Sequence, residues 1–176
     1  MPVPELPPAE VESDVQQGTV LQLFDDYHDF MGSACVVGHS DTRTFMITAF
    51  HVISTATESN FGELKTEATD PKMDLALVSV PHVMGTAFEL NTTIDFGTPI
   101  SARGYLAGAP TMTFGHVANP HLGWLDCAVG FGMSGGAVID ADGRLVGLIK
   151  RTFQPVDIGI MVLATDIQAM IDEVIQ

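Results

Sequence analysis

Apolar runs in this chain are short, and turn residues end each of them. LQLF (21–24), ACVVG (34–38), FMITA (45–49), DLALVSV (74–80), PISARGYLAG (99–108), GAVID (136–140) and LVGLI (145–149) are the clearest. Between them lie HSDTR, NFGE, DPKM, GAP, NPHLG and DADG, all composed for turns. Many short strands at such spacing predict an all-β barrel or sandwich. Asp140-Ala141-Asp142-Gly143, set between two apolar runs, predicts a hairpin, because glycine accepts the positive φ that such loops need. Helical periodicity is confined to the end, where Ile167, Met170, Ile171, Val174 and Ile175 recur on one face. Thr165 and Gln168 stand at capping-box spacing before that stripe. Residues 1–17 are rich in Pro and Glu and read as an arm without a core of its own.

A chain of 176 residues has room for one domain or two small packed halves. Its 46% hydrophobic content is that of a globular protein, and no apolar run is long enough to span a bilayer as a helix. Seven Lys+Arg against 22 Asp+Glu leave a formal charge of −15, which argues against nucleic-acid and membrane-surface partners. The first residues carry neither a basic region nor an apolar core, so no secretory signal is expected there. Cys35 and Cys127 have no metal-ligand spacing and make a poor disulfide framework. Inert buried thiols in a reducing, intracellular compartment are the expectation, with a single disulfide as the alternative. No metal or other cofactor is expected, since His, Cys and carboxylates are nowhere grouped as ligands.

Three segments carry chemistry. Gly130-Phe131-Gly132-Met133-Ser134-Gly135-Gly136 places four glycines around one serine. Such a backbone can turn tightly, expose the serine oxygen and aim the Gly132 and Ser134 N–H groups at an oxyanion. The bland alternative is a glycine-rich turn whose serine merely satisfies the backbone. In Phe45-Met46-Ile47-Thr48-Ala49-Phe50-His51-Val52, an apolar strand ends in a histidine, the residue type able to take and return a proton near neutrality. His28, His39, His82, His116 and His121 lie in irregular contexts and suit surface roles better. In Asp70-Pro71-Lys72-Met73-Asp74-Leu75, Asp74 opens an apolar strand and suits the orienting of an imidazole, while Asp70 fits a turn.

In the order His, Asp, Ser these segments resemble the trypsin/chymotrypsin superfamily, and most of all its HtrA-type branch. Thr48-Ala49-Phe50-His51-Val52, Asp74-Leu75-Ala76-Leu77-Val78 and Asp126-Cys127-Ala128-Val129-Gly130-Phe131-Gly132-Met133-Ser134-Gly135-Gly136 carry the likeness, supported by Gly32-Ser33-Ala34 and by the hairpin after the serine. The resemblance implies two six-stranded antiparallel barrels, about 18–95 and 96–162, followed by a helix over about 165–175. It implies a serine endopeptidase with His51 as general base, Asp74 as its orienter, Ser134 as nucleophile, and Gly132 and Ser134 as oxyanion-hole donors. Its partner would be a protein or peptide substrate. A binding or structural module that keeps the triad only by descent is the alternative.

Loops are trimmed relative to secreted digestive members, and Met133 replaces the Asp with which those members anchor a freed N-terminus. No PDZ-like segment is expected after the barrel pair. A self-processing viral or phage protease is therefore the expected setting. By resemblance Ala128 lies at the base of the primary pocket, with Leu148, Ile149, Lys150 and Arg151 along a wall. The small apolar base points to an uncharged side chain before the scissile bond; Lys150 and Arg151 point to an acidic one.

Overall fold

The computed structural model describes residues 18–175; the Pro/Glu-rich arm lies outside the described residues. The first lobe contains β1 (Val20–Phe24), β2 (Phe30–His39), β3 (Thr44–Thr48), the single-turn helix α1 (Phe50–Ile53), β4 (Glu58–Ser59), β5 (Gly62–Glu63), β6 (Lys65–Asp70) and β7 (Leu75–Val80). The second contains β8 (Pro99–Leu106), β9 (Ala109–Asn119), β10 (Trp124–Asp126), β11 (Ala137–Ile139), β12 (Leu145–Phe153) and β13 (Ile158–Leu163), and α2 (Ala164–Val174) ends the chain's regular structure. This is the mostly-β, chymotrypsin-like architecture.

Hydrogen bonding closes only the second lobe into a six-stranded barrel, in the order β10-β13-β12-β11-β8-β9. The first lobe is a seven-stranded sheet, ordered β5-β4-β1-β2-β3-β7-β6. Its two edge strands, β5 and β6, are joined covalently through the single residue Leu64, whose N–H donates to the Thr57 carbonyl at 2.9 Å. One strand broken at Leu64 thus supplies both edges, and the ring is completed by the chain rather than by a ladder. That is the difference from a pair of closed six-stranded barrels.

Period-two alternation decides where the cores sit. Ala34, Val36, Met46 and Val78 fill the first lobe, and the residues beside them in sequence, Cys35, Ile47 and Leu77, face a second core between the lobes. Strand β7 is buried at all six positions because both of its faces are covered, which explains its unbroken apolar reading. Ile100, Ala102, Leu125, Val138, Val146 and Ile149 fill the closed barrel. Helix α2 lays Ile167 and Met170 into the interlobe core, with Ile171, Val174 and Ile175 packed at its margin, so the apolar stripe lands as its spacing predicts. The capping box does not form: Leu163, the last residue of β13, is itself the N-cap, and no side chain caps the helix. The strand runs straight into the helix, which places Thr165 inside the first turn.

The hairpin at 140–143 is present, with Gly143 at φ 77° and its N–H on the Asp140 carbonyl. Asp140 also ties the hairpin to the interlobe linker. Its Oδ1 accepts from the Asp142 and Arg144 N–H groups, and its Oδ2 from Asn91 Nδ2 at 2.8 Å and Arg144 Nε at 3.2 Å. Burial pushes this carboxyl's pKa up, but those donors and the Arg144 charge outweigh it and hold the pKa below the ordinary value. A depressed folded pKa means stability that is fully present above about pH 4 and lost as pH falls through the lower folded value. Replacing Asp140 with Asn is expected to cost about 2 kcal/mol at neutral pH. The variant should then lose less than the native chain on acidification, as read by urea unfolding at each pH. Parallel pH profiles would show that the ionised carboxylate is not the source of the stabilisation.

Candidate active site

Strand pairing brings the first two candidates together. Strands β3 and β7 run antiparallel with Thr48 opposite Ala76, so the chain leaving β3 meets the chain entering β7. His51 sits on α1, immediately after β3, and Asp74 immediately before β7. Asp74 has φ 63°, a left-handed conformation that Asp tolerates better than most residues. There its carbonyl accepts from Phe50 N–H at 3.1 Å, and its Oδ1 from His51 N–H at 2.9 Å. Its Oδ2 lies 2.8 Å from His51 Nδ1. A carboxylate only accepts, so Nδ1 carries the proton and Nε2 is left as the basic nitrogen. The Asp74 side chain is 14% exposed and that of His51 52%, so a shielded acid orients an accessible imidazole.

Ser134 comes from the loop between β10 and β11, and the first lobe holds that loop in place. Ser33 of β2, wholly buried, makes three hydrogen bonds to the second lobe, two of them to that loop. Its N–H donates to the Ser134 carbonyl at 2.9 Å, its Oγ donates to the Gly132 carbonyl at 2.9 Å, and that Oγ accepts from Tyr105 N–H at 3.0 Å. Thr48 Oγ1 donates to the Ser33 carbonyl at 2.8 Å, and Cys35 Sγ to the Gly135 carbonyl at 3.2 Å. Two glycines are required here. Gly132 and Gly135 hold φ of 91° and 85°, and a Cβ at Gly135 would run into the Ser33 carbonyl and the Thr48 hydroxyl. Val52, the neighbour of His51, and the Ser134 carbonyl meet over Gly32, where a Cβ would lie 2.7 Å from Val52 and 3.1 Å from Ser134.

Among the described residues, the N–H groups of Gly132 and Ser134 donate to no protein acceptor. Two unengaged donors, one of them the serine's own N–H, are what an oxyanion needs. The Ser134 hydroxyl donates to the Lys150 carbonyl at 3.0 Å, and among the described residues no hydrogen bond joins it to His51. A change of χ1 rotamer separates this orientation from others open to the hydroxyl.

Residues 32–148 match the model of the trypsin-like peptidase domain. The chain belongs to that family. Among solved structures it is similar to the HtrA-type protease AlgW with a decapeptide, at 22% identity and TM-score 0.72, covering 92% of this chain and 66% of that one. A serine-to-alanine variant of AlgW with a tripeptide matches at 22% identity and TM-score 0.71, over 90% of this chain and 60% of that one. The variant with a decapeptide matches at 24% and 0.67, over 82% and 51%. At such identities the likeness establishes the fold, and this chain spans less than two thirds of each structure's length. No curated protein matches the sequence.

Beside Ser134 the peptidase domain has a cavity of about 180 Å³, lined by Val129, Gly130, Phe131, Ile149, Arg151 and Thr152. Of the residues expected around a primary pocket, Ile149 and Arg151 are there. Ile149 and Arg151 stand two residues apart on β12, the spacing that puts side chains on one face, and a bulge in the pairing with β13 falls between them. Leu148 is wholly buried in the interlobe core. Lys150 offers Ser134 its carbonyl but lines a different recess, with Met73 and Ile160. Ala128 is exposed, its carbonyl bonded to Thr113 Oγ1, and Val129 lines the cavity instead. Sequence reasoning missed Val129, Phe131 and Thr152. Phe131, 77% exposed beside the serine loop, had a usable signal as a large aromatic between two glycines.

Both thiols are free and buried. Burial pushes the Cys35 thiol far up, against the pull of the nearby Arg103 charge. It raises Cys127 as well, Thr113 opposing and Asp126 reinforcing the shift. Neither is a nucleophile at neutral pH. Among the described residues, no three His, Cys, Asp or Glu side chains come together as metal ligands.

Proposed function

We propose that this domain is a serine endopeptidase working through an acyl-enzyme, with His51, Asp74 and Ser134 as its triad. The observation that carries the reading is the His51 Nδ1–Asp74 Oδ2 hydrogen bond of 2.8 Å, which leaves Nε2 basic, in a lobe whose Ser33 also braces the glycine-framed serine loop. The Ser134 hydroxyl leaves the Lys150 carbonyl, gives its proton to His51 Nε2, and its oxygen bonds to the scissile carbonyl carbon. Gly132 and Ser134 N–H groups receive the resulting oxyanion. Collapse breaks the C–N bond as the leaving amine takes the proton from His51. Water, giving a proton to the same nitrogen, then attacks the acyl-enzyme, and the proton returns to Ser134 as the acid departs.

Val129 and Ile149 support an uncharged aliphatic side chain before the scissile bond, because a cavity of about 180 Å³ suits a small branched one. Lys150 lines another recess, which weakens the acidic alternative and leaves Arg151 alone to favour it. Protein or peptide segments are the partners in this reading. The compact strand connections favour processing of a polyprotein inside a cell.

Labelling with a fluorophosphonate, followed by peptide mapping, tests the reading. Modification of Ser134, abolished in Ser134→Ala, is the expected result. A folded native sample that takes no label would favour a silent binding module, the reading to which the Ser134–Lys150 hydrogen bond lends support.

A further inference from the structure

A second cavity, of about 470 Å³, opens where β1 meets β8 and β9, lined by Gly18, Val20, Arg103, Tyr105, Pro110 and Met112. His51, Asp74 and Ser134 do not line it. Ala102, the neighbour of Arg103 on β8, is packed in the closed barrel's core, so strand alternation sends the Arg103 side chain outward toward β1. There the guanidinium meets an anomaly. Its Nη1 is buried and, among the described residues, has no hydrogen-bond partner.

This chain has 22 acidic residues for seven basic ones. Arg43 and Lys65 pair with Glu67, and Arg144 with Asp140 and Asp142; Lys72, Lys150 and Arg151 form no ion pair among the described residues, but only Arg103 has a buried nitrogen without a partner there. Yet no described carboxylate lies within salt-bridge distance of Arg103. A guanidinium cannot shed its proton to escape burial, so an unmatched one is costly, and a carboxylate matches its planar fork with two parallel bonds.

We propose that this recess is a carboxylate-binding site, with Arg103 as its anion-binding group and a peptide-borne Asp or Glu as its ligand. Apolar walls from Val20, Pro110 and Met112 suit the backbone and stem around such a side chain. The shared chemistry has two sources. One is this chain, since Glu5, Glu10, Glu12 and Asp14 precede Gly18 with no Lys or Arg among residues 1–17. Asp14 is within about 13 Å of Gly18 along an extended backbone. The other is a separate acidic peptide. The inference is independent of proteolysis and stands or falls apart from Ser134.

The test uses the full chain at about 0.15 M salt, where long-range repulsion from its net negative charge is screened. Urea unfolding of Arg103→Met, of an arm variant carrying Gln at 5, 10 and 12 and Asn at 14, and of their combination forms a double-mutant cycle. Non-additive losses assign the site to the chain's own acids. In parallel, the arm variant is titrated with the acetylated peptide Glu-Val-Glu-Ser-Asp and with its Gln/Asn counterpart. Saturable binding of the acidic peptide, at least about ten-fold tighter than the neutral one, is expected. If the cycle is additive, that preference assigns the site to a separate peptide. An additive cycle together with equal or absent binding of the two peptides overturns the proposal. The peptide comparison needs no change at Arg103, so it decides even where Arg103→Met does not fold.

Discussion

Replacing Asp74 with Asn should leave the fold intact and lower kcat/KM by about 10⁴-fold, the scale of losing the correct imidazole tautomer. Asn keeps an oxygen for the His51 N–H and tolerates the φ of 63° at this position, so little of the local backbone changes. What changes is the face turned to the ring. An amide NH₂ opposite Nδ1 makes that nitrogen an acceptor, moves the imidazole proton to Nε2, and removes the base that Ser134 needs. Turnover of a chromogenic peptide, read beside the thermal midpoint, checks this. Activity within ten-fold of native in a folded variant would remove Asp74 from the triad.

Gly135→Ala should be among the most damaging single-methyl additions at the described glycines. The position combines φ 85° with a Cβ direction blocked by the Ser33 carbonyl and the Thr48 hydroxyl. Left-handed strain and overpacking together should cost about 4 kcal/mol. The same clash pushes the loop off Ser33, so fluorophosphonate labelling of whatever remains folded should fall to background. Gly97→Ala is the control: φ is 75°, but nothing lies within 4 Å of the added methyl. Only the backbone term remains there, about 1 kcal/mol. Urea midpoints separate the two, and equal losses would show that the Ser33 contact carries no weight.

Local chemistry was legible along the chain. Glycine spacing around Ser134, the strand that stops before His51, Asp74 at a strand start, and the Asp140–Gly143 hairpin are all short-range patterns. Each depends on φ, side-chain period or turn composition within a few residues. The apolar stripe of α2 belongs with them. Its start was misplaced by the Thr165–Gln168 spacing, because a strand that feeds directly into a helix needs no side-chain cap.

Positions one residue apart were beyond such reading. Val129 rather than Ala128 lines the cavity, and Lys150 turns away while Ile149 and Arg151 face it, since alternation separates neighbours but only the fold fixes which face meets the cleft. The opening of the first lobe at Leu64 was equally silent, because a one-residue break in a strand leaves composition unchanged. Ser33 belongs to the Gly32-Ser33-Ala34 stretch, yet nothing local announces its bond to Gly132, 99 residues away, and the buried, unpartnered Nη1 of Arg103 carries no local mark. The sequence by itself determined which residues have the chemistry of a peptidase and in what order, through turn glycines and two-residue periodicity. Only the tertiary structure decided which of them meet, because a hydrogen bond between lobes depends on how two sheets and a helix share one apolar core.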